Sequence, residues 1–276
     1  MSGTKVAKPS SNVLQSSKRA VISCGIVTQF IQSLQARLST RGTFVMEKIV
    51  RGIHQFQTTQ FSEHQELFAQ LAQRQQPETL LITCSDSRIV PDLLTQTQPG
   101  ELFVIRNAGN IIPPYGAANG GEGATVEFAI GALNVKHVVV MGHSNCGAMK
   151  GLLQPEGLAA LPLVANWLKH AETTRRVAVE SYPDFTGDDL LNATIKENVL
   201  VQLDNLRTYP VVAARLARGE LTFHAWVYEI ESGRILAYDP AVRHFAPVSL
   251  EGIAQVMTNR VTTGQSMRAA QAVAGQ

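Results

Sequence analysis

The sequence predicts an α/β fold, with a mostly parallel central sheet of four strands, one antiparallel edge strand and helices on both faces. Short Val-, Ile- and Leu-rich runs recur along the chain with helical stretches between them, the alternation that builds a parallel sheet. The runs are apolar throughout, as strands covered on both faces require. After the last long run, Ser232-Gly233 turns the chain back on itself and supplies the antiparallel edge.

Taken in order, residues 1–45 form a Ser-rich, basic extension. Up to Met46 the chain holds Lys5, Lys8, Lys18, Arg19, Arg37 and Arg41 and no acidic residue. We expect a disordered tail, or a start codon lying upstream of Met46. The composition also matches an organelle transit peptide, although its apolar positions make a poor amphipathic face. From Met46, Ile49, Ile53 and Phe56 recur at helical spacing, and Ser62 with Gln65 reads as a capping box before Leu67, Phe68 and Leu71. Gln75-Gln76-Pro77 ends that second helix.

The first strand is expected over 80–83, ending at Cys84, and the second and third over 102–105 and 137–141. Between the latter two, Val126, Ile130 and Leu133 share one face of a helix over 123–133. Strands over 223–230 and 234–238 complete the sheet. The organised domain is therefore 46–245, with a C-terminal helix or tail over 246–276.

Composition narrows the function. Hydrophobic residues make up 45% and charged residues 17% of 276, as in an ordinary globular protein. No run approaches the roughly 18 uncharged apolar residues of a membrane span. The net charge of +2 rests on the extension, beyond which 18 basic face 22 acidic residues, so the body offers no basic surface for nucleic acid. Three cysteines make a poor disulfide framework and fit reduced thiols in a cytosol-like compartment.

Two of those thiols stand where chemistry is expected. Cys84 opens Cys84-Ser85-Asp86-Ser87-Arg88, and Cys146 closes His143-Ser144-Asn145-Cys146. Two thiols and an imidazole are three good zinc ligands, one short of a closed structural site, which leaves a position for a reactant. Strand ends on one edge of an open α/β sheet bring such distant residues together. Free cysteines are otherwise buried small hydrophobes, but two of them at strand ends with a histidine alongside favour a metal. Asp86 and Arg88 alone read equally as an ion pair or a helix start; beside a zinc they supply an acceptor for its hydroxide and a cation that keeps the acceptor ionised. His137 opens a strand, His170 sits on a helix with Trp167 and Lys169, His224 lies inside a strand, and His54, His64 and His244 have no acidic or thiol partner nearby, so each reads as a core or surface residue; Cys24 sits in the extension. The glycines at 109, 116, 120, 121 and 123 match neither the dinucleotide fingerprint nor the P-loop, and mark tight turns.

On these residues the chain resembles the β-class carbonic anhydrases, over about 46–245. The segments that carry the likeness are Cys84-Ser85-Asp86-Ser87-Arg88, Phe103-Val104-Ile105-Arg106-Asn107-Ala108-Gly109-Asn110 and Gly142-His143-Ser144-Asn145-Cys146-Gly147. Pro113-Pro114-Tyr115-Gly116 through Gly123, with Met149-Lys150-Gly151-Leu152-Leu153, resemble cyanobacterial, carboxysomal-type members of the plant-like branch.

The resemblance implies one Zn2+ per subunit on Cys84, His143 and Cys146, with Asp86 and Arg88 as catalytic dyad. It implies a substrate pocket of Gln75, Phe103, Ala108, Phe128 and the Gly147 amide. Phe128 stands where relatives usually carry Tyr, so a hydroxyl is missing from that wall. Members that close the site by ligating the aspartate have a Trp three residues before the first cysteine; Leu81 is there instead, which implies that Asp86 stays off the metal. The activity implied is reversible hydration of carbon dioxide to bicarbonate and a proton by zinc-bound hydroxide.

Two rivals are hydrolysis of carbonyl sulfide or carbon disulfide on the same fold, and a structural zinc scaffold. The resemblance further implies N-terminal helices packed on a neighbouring subunit, hence a homodimer or an assembly of dimers. It also implies a cytoplasmic or carboxysomal location, with a carboxysome shell or scaffold protein as partner.

Overall fold

The computed structural model describes residues 41–118 and 120–249, with side chains from Phe44 onward. The chain divides into two compact units, one up to Gln70 and one from Leu71.

In the N-terminal unit, α1 (Arg41–Gln55) starts five residues ahead of Met46 and runs into a π-helical turn, Phe56–Gln60. A single turn, Phe61–Glu63, and α2 (Gln65–Leu71) follow. The expected capping box is not made, since Ser62 lies inside the single turn and Gln65 begins α2. Aromatic packing shapes this bend instead. The Phe61 and Phe68 rings stack with centroids 5.4 Å apart, and Phe56 meets both edge-on.

The second unit is a six-stranded sheet in the order β2-β1-β3-β4-β5-β6. Strands β1 (Thr79–Cys84), β2 (Leu102–Asn107), β3 (His137–His143) and β4 (Thr222–Glu229) are parallel, and β5 (Arg234–Asp239) is the antiparallel hairpin partner. Leu81 sits beside Val104 on one side and Val139 on the other. The Glu78 carbonyl accepts from the Lys136 and His137 amides, which fixes where β1 and β3 begin. One strand was not expected. β6 (His244–Pro247) pairs antiparallel with β5 and runs past the boundary drawn at 245. Its four residues include a proline at the end, a pattern that reads as a stop, and an edge position is where a strand tolerates it.

Connecting the strands are α3 (Pro91–Thr95), α4 (Gly121–Glu127), α5 (Gly147–Leu153), α6 (Pro162–Leu168), α7 (Glu172–Ser181), α8 (Gly187–Arg207) and α9 (Pro210–Ala217). Pro91, Pro162 and Pro210 each open a helix, where a missing N–H costs nothing. α4 passes into a π-helical turn, Phe128–Ala132, and buries Val126 and Ile130 as their spacing predicts. The 21-residue α8 lies against β3 and β4 and buries Leu191, Ile195, Val199 and Leu206. It approaches closely because Gly142 has no side chain: a Cβ there would stand 3.0 Å from Val199 Cγ2.

Candidate metal centre

The parallel sheet brings three donors to one edge. Cys84 ends β1, His143 ends β3, and Cys146 immediately precedes α5. All three are buried, and their ligand atoms lie within 4.8 Å of one another. Asn145, in the left-handed conformation at φ 56°, makes the tight turn that returns Cys146 to His143.

The chemistry of this donor set fits a soft divalent cation. His143 Nδ1 is engaged by the Ser144 carbonyl at 2.9 Å, leaving Nε2 as the free nitrogen. Nε2 is fully buried and has no hydrogen-bond partner, because its nearest acid, Asp86 Oδ2, stands 3.8 Å away. Cys84 is held well below the ordinary thiol range, mainly because the Cys146 thiol donates to it, with His143 and the Gly109 amide adding to the effect. Cys146 is pushed up by that same bond and by burial. A cation held by the three would satisfy the orphaned nitrogen.

Asp86 and Arg88, the pair expected beside the donors, are hydrogen-bonded to each other. Arg88 Nε and Nη2 grip the two carboxylate oxygens at 2.9 and 2.7 Å, and the Arg88 amide adds a third bond at 3.0 Å. The fork, opposed only in part by desolvation, holds the Asp86 carboxyl well below the usual carboxylate range. With both oxygens taken by one guanidinium, Asp86 sits beside the donor cluster without joining it.

Of the expected pocket residues, Phe103 and Phe128 come together, with ring centroids 6.0 Å apart. Phe128 is 48% exposed. Ala108 and Gly147 are exposed near the donors in sequence. Gln75 lies on the exposed connection between α2 and β1, and no hydrogen bond among the described residues ties it to the site.

Several supporting residues went unread in the sequence. Arg106 donates to the Cys84 carbonyl at 3.1 Å and to the Asp86 carbonyl at 2.8 Å, fixing the loop between ligand and dyad. The Gly109 amide donates to Cys84 Sγ at 3.4 Å, and Asn198 on α8 holds the Gly109 carbonyl at 2.9 Å. Gln202 bonds both Asn198 and the Ile112 amide. Trp167 Nε1 donates to the Ala108 carbonyl at 2.8 Å. Asn198, Gln202 and Asn205 do leave a sequence signal, a polar row about one turn apart along α8. The arginine leaves none, since its partners are backbone carbonyls.

A family model described as carbonic anhydrase matches residues 79–235. A carbonic anhydrase of Synechocystis is 53% identical over 206 residues, 74% of this chain and 75% of its own length. The chain belongs to the carbonic anhydrases, and to their β class. The class follows from the solved β-carbonic anhydrase CcaA, 52% identical with a TM-score of 0.72, where the match covers 74% of this chain and 99% of that one. A tetrameric β-carbonic anhydrase of the fungus Sordaria macrospora is more distant, at 27% identity and TM-score 0.62 over 74% of this chain and 99% of that one.

Proposed function

We propose that this carbonic anhydrase hydrates carbon dioxide reversibly to bicarbonate and a proton at one zinc ion per subunit, held by Cys84, His143 and Cys146. The observation that supports this most directly is geometric: the buried His143 Nε2, without a hydrogen-bond partner, lies with two buried thiols so that all three donor atoms are within 4.8 Å of one another. Zinc, when bound, supplies the Lewis acidity that brings the ionisation of water from 15.7 towards about 7.

The protein's part is orientation and charge. Asp86 is ionised throughout the working range, so it only accepts: a hydrogen bond from the attacking oxygen turns that oxygen's lone pair towards carbon. Arg88 keeps the carboxylate charged and aligned through its fork. A carbon–oxygen bond forms, one carbon–oxygen double bond of the substrate becomes a single bond, and the proton leaves to solvent. Carbon dioxide is apolar, which suits a wall of Phe103, Phe128 and Ala108, with the Gly147 amide and Gln75 as polar contacts.

The reading extends to the assembly. A second copy of the chain, in a homodimer or an assembly of dimers, is supported by the exposed apolar face of α1 and by the tetrameric fungal relative. The cyanobacterial source of the Synechocystis relative supports a cytoplasmic or carboxysomal enzyme, with a shell or scaffold protein as its carboxysomal partner. No helix of the described residues is long and apolar enough to cross a membrane.

The decisive experiment measures zinc per chain together with carbon dioxide hydration by stopped flow. One zinc per chain with turnover is expected; a full complement of zinc without turnover would overturn the proposal.

A further inference from the structure

The turn between His143 and Cys146 is held by a residue 85 or more positions away in sequence. Glu231, in the turn between β4 and β5, accepts from Ser144 Oγ at 2.8 Å and from Asn145 Nδ2 at 2.5 Å. Ser144 Oγ in turn accepts from the Ile230 amide at 3.0 Å, and the Ser144 amide donates to the Tyr228 carbonyl. One carboxylate therefore clamps the side chains of both residues between the histidine and the second cysteine.

The two carbonyls of that clamped turn face the site. Ser144 O receives His143 Nδ1 at 2.9 Å, and Asn145 O receives Arg88 Nη2 at 3.3 Å. The Arg88 guanidinium thus has two seats, the Asp86 carboxylate and the Asn145 carbonyl. Asn145 is exposed and takes the left-handed conformation, at φ 56°, that closes the turn. Lys150 Nζ also reaches its Oδ1, at 3.3 Å, the longer of the two side-chain contacts.

We propose that Glu231 is a positioning residue: by clamping the Ser144–Asn145 turn it holds the Asn145 carbonyl where it seats Arg88, and so aligns Asp86. The inference rests on the dyad reading given under Proposed function. Glu231 itself is exposed, so its replacement leaves the core intact.

The test compares the zinc-loaded wild type, Glu231→Ala, Arg88→Ala and the double variant. Metal content, kcat and KM are measured for each, and proton exchange at the Arg88 Nε–H is followed by NMR in wild type and Glu231→Ala. Glu231→Ala is expected to keep its zinc, lower kcat about tenfold with KM within about twofold, and speed Nε–H exchange, the scale of losing an outer-shell partner. On the Arg88→Ala background the same substitution should cost less than about twofold, because the group it seats is gone. Glu231→Gln, with one acceptor left, should fall between. An equal loss on both backgrounds, or unchanged Nε–H exchange, overturns the positioning role. An Arg88→Ala protein with wild-type turnover overturns the dyad reading and takes this inference with it.

Discussion

At the residue scale, each ligand and each member of the dyad fails differently. Cys84→Ser and Cys146→Ser replace a thiolate by a group that stays protonated, so both are expected to lose zinc and activity together, read by metal analysis and hydration rate. Asp86→Asn leaves the three donors untouched and should retain zinc while turnover falls by about tenfold or more; normal turnover in that protein would remove Asp86 from the reaction. The pH profile separates the carboxylate from the metal. A depressed carboxyl contributes stability above its ordinary range and loses it only as pH falls through the depressed value, so Asp86 titrates in acid, far from neutrality. Two thiolate ligands leave an ion less electrophilic than three imidazoles would. Activity is therefore expected to climb as pH passes from about 7 to above 8, and a flat profile over that range counts against the thiolate-rich site. The cluster of Cys84, His143 and Cys146 was legible in the sequence because parallel strands bring their carboxyl ends, where these residues stand, to one edge of the sheet. Arg106 and Glu231 were not, since an arginine bound to carbonyls and a surface glutamate bound to a turn look like any other charges.

At the scale of elements, the site depends on how closely α8 lies against β3. Gly142 precedes the donor His143, and a methyl there would meet Val199 Cγ2 at 3.0 Å and Ile195 Cγ2 at 3.2 Å. Gly142→Ala is expected to destabilise the protein by about 1–3 kcal/mol, the cost of overpacking. Adding Val199→Ala should recover part of that loss in a thermal or denaturant melt, because it removes the atom in the way. Simple additivity of the two losses would show that the helix is not in contact at this point. The four parallel strands and the hairpin were legible from continuous apolar runs and one Ser-Gly turn. β6 was not, because four residues ending in proline carry no periodicity. The missing capping box has a similar cause: Ser62 and Gln65 have the right spacing, but three phenylalanines pack across the bend and decide where the helices break.

At the scale of the whole molecule, the exposed face of α1 bears on the proposed second copy of the chain. α1 leaves Phe44, Ile49 and Ile53 exposed at 73%, 49% and 52%, with Val45, Met46 and Val50 also uncovered. Monomeric proteins seldom leave such a stripe in water. Its helical spacing from Ile49 on was visible in the sequence, and the family resemblance, not the spacing, implied that a neighbouring subunit covers it. Because Ile49 and Ile53 are already exposed, replacing both by Asp should change the stability of an isolated chain little, within about 0.5 kcal/mol at each site. An interface tolerates the same change badly, since it buries two unpaired carboxylates. The double variant is therefore expected to sediment as a smaller species than the wild type at the same concentration, with a concentration-dependent return towards the larger one. If instead both proteins sediment alike, α1 does not contribute to the assembly, and the subunit contact lies elsewhere on the surface.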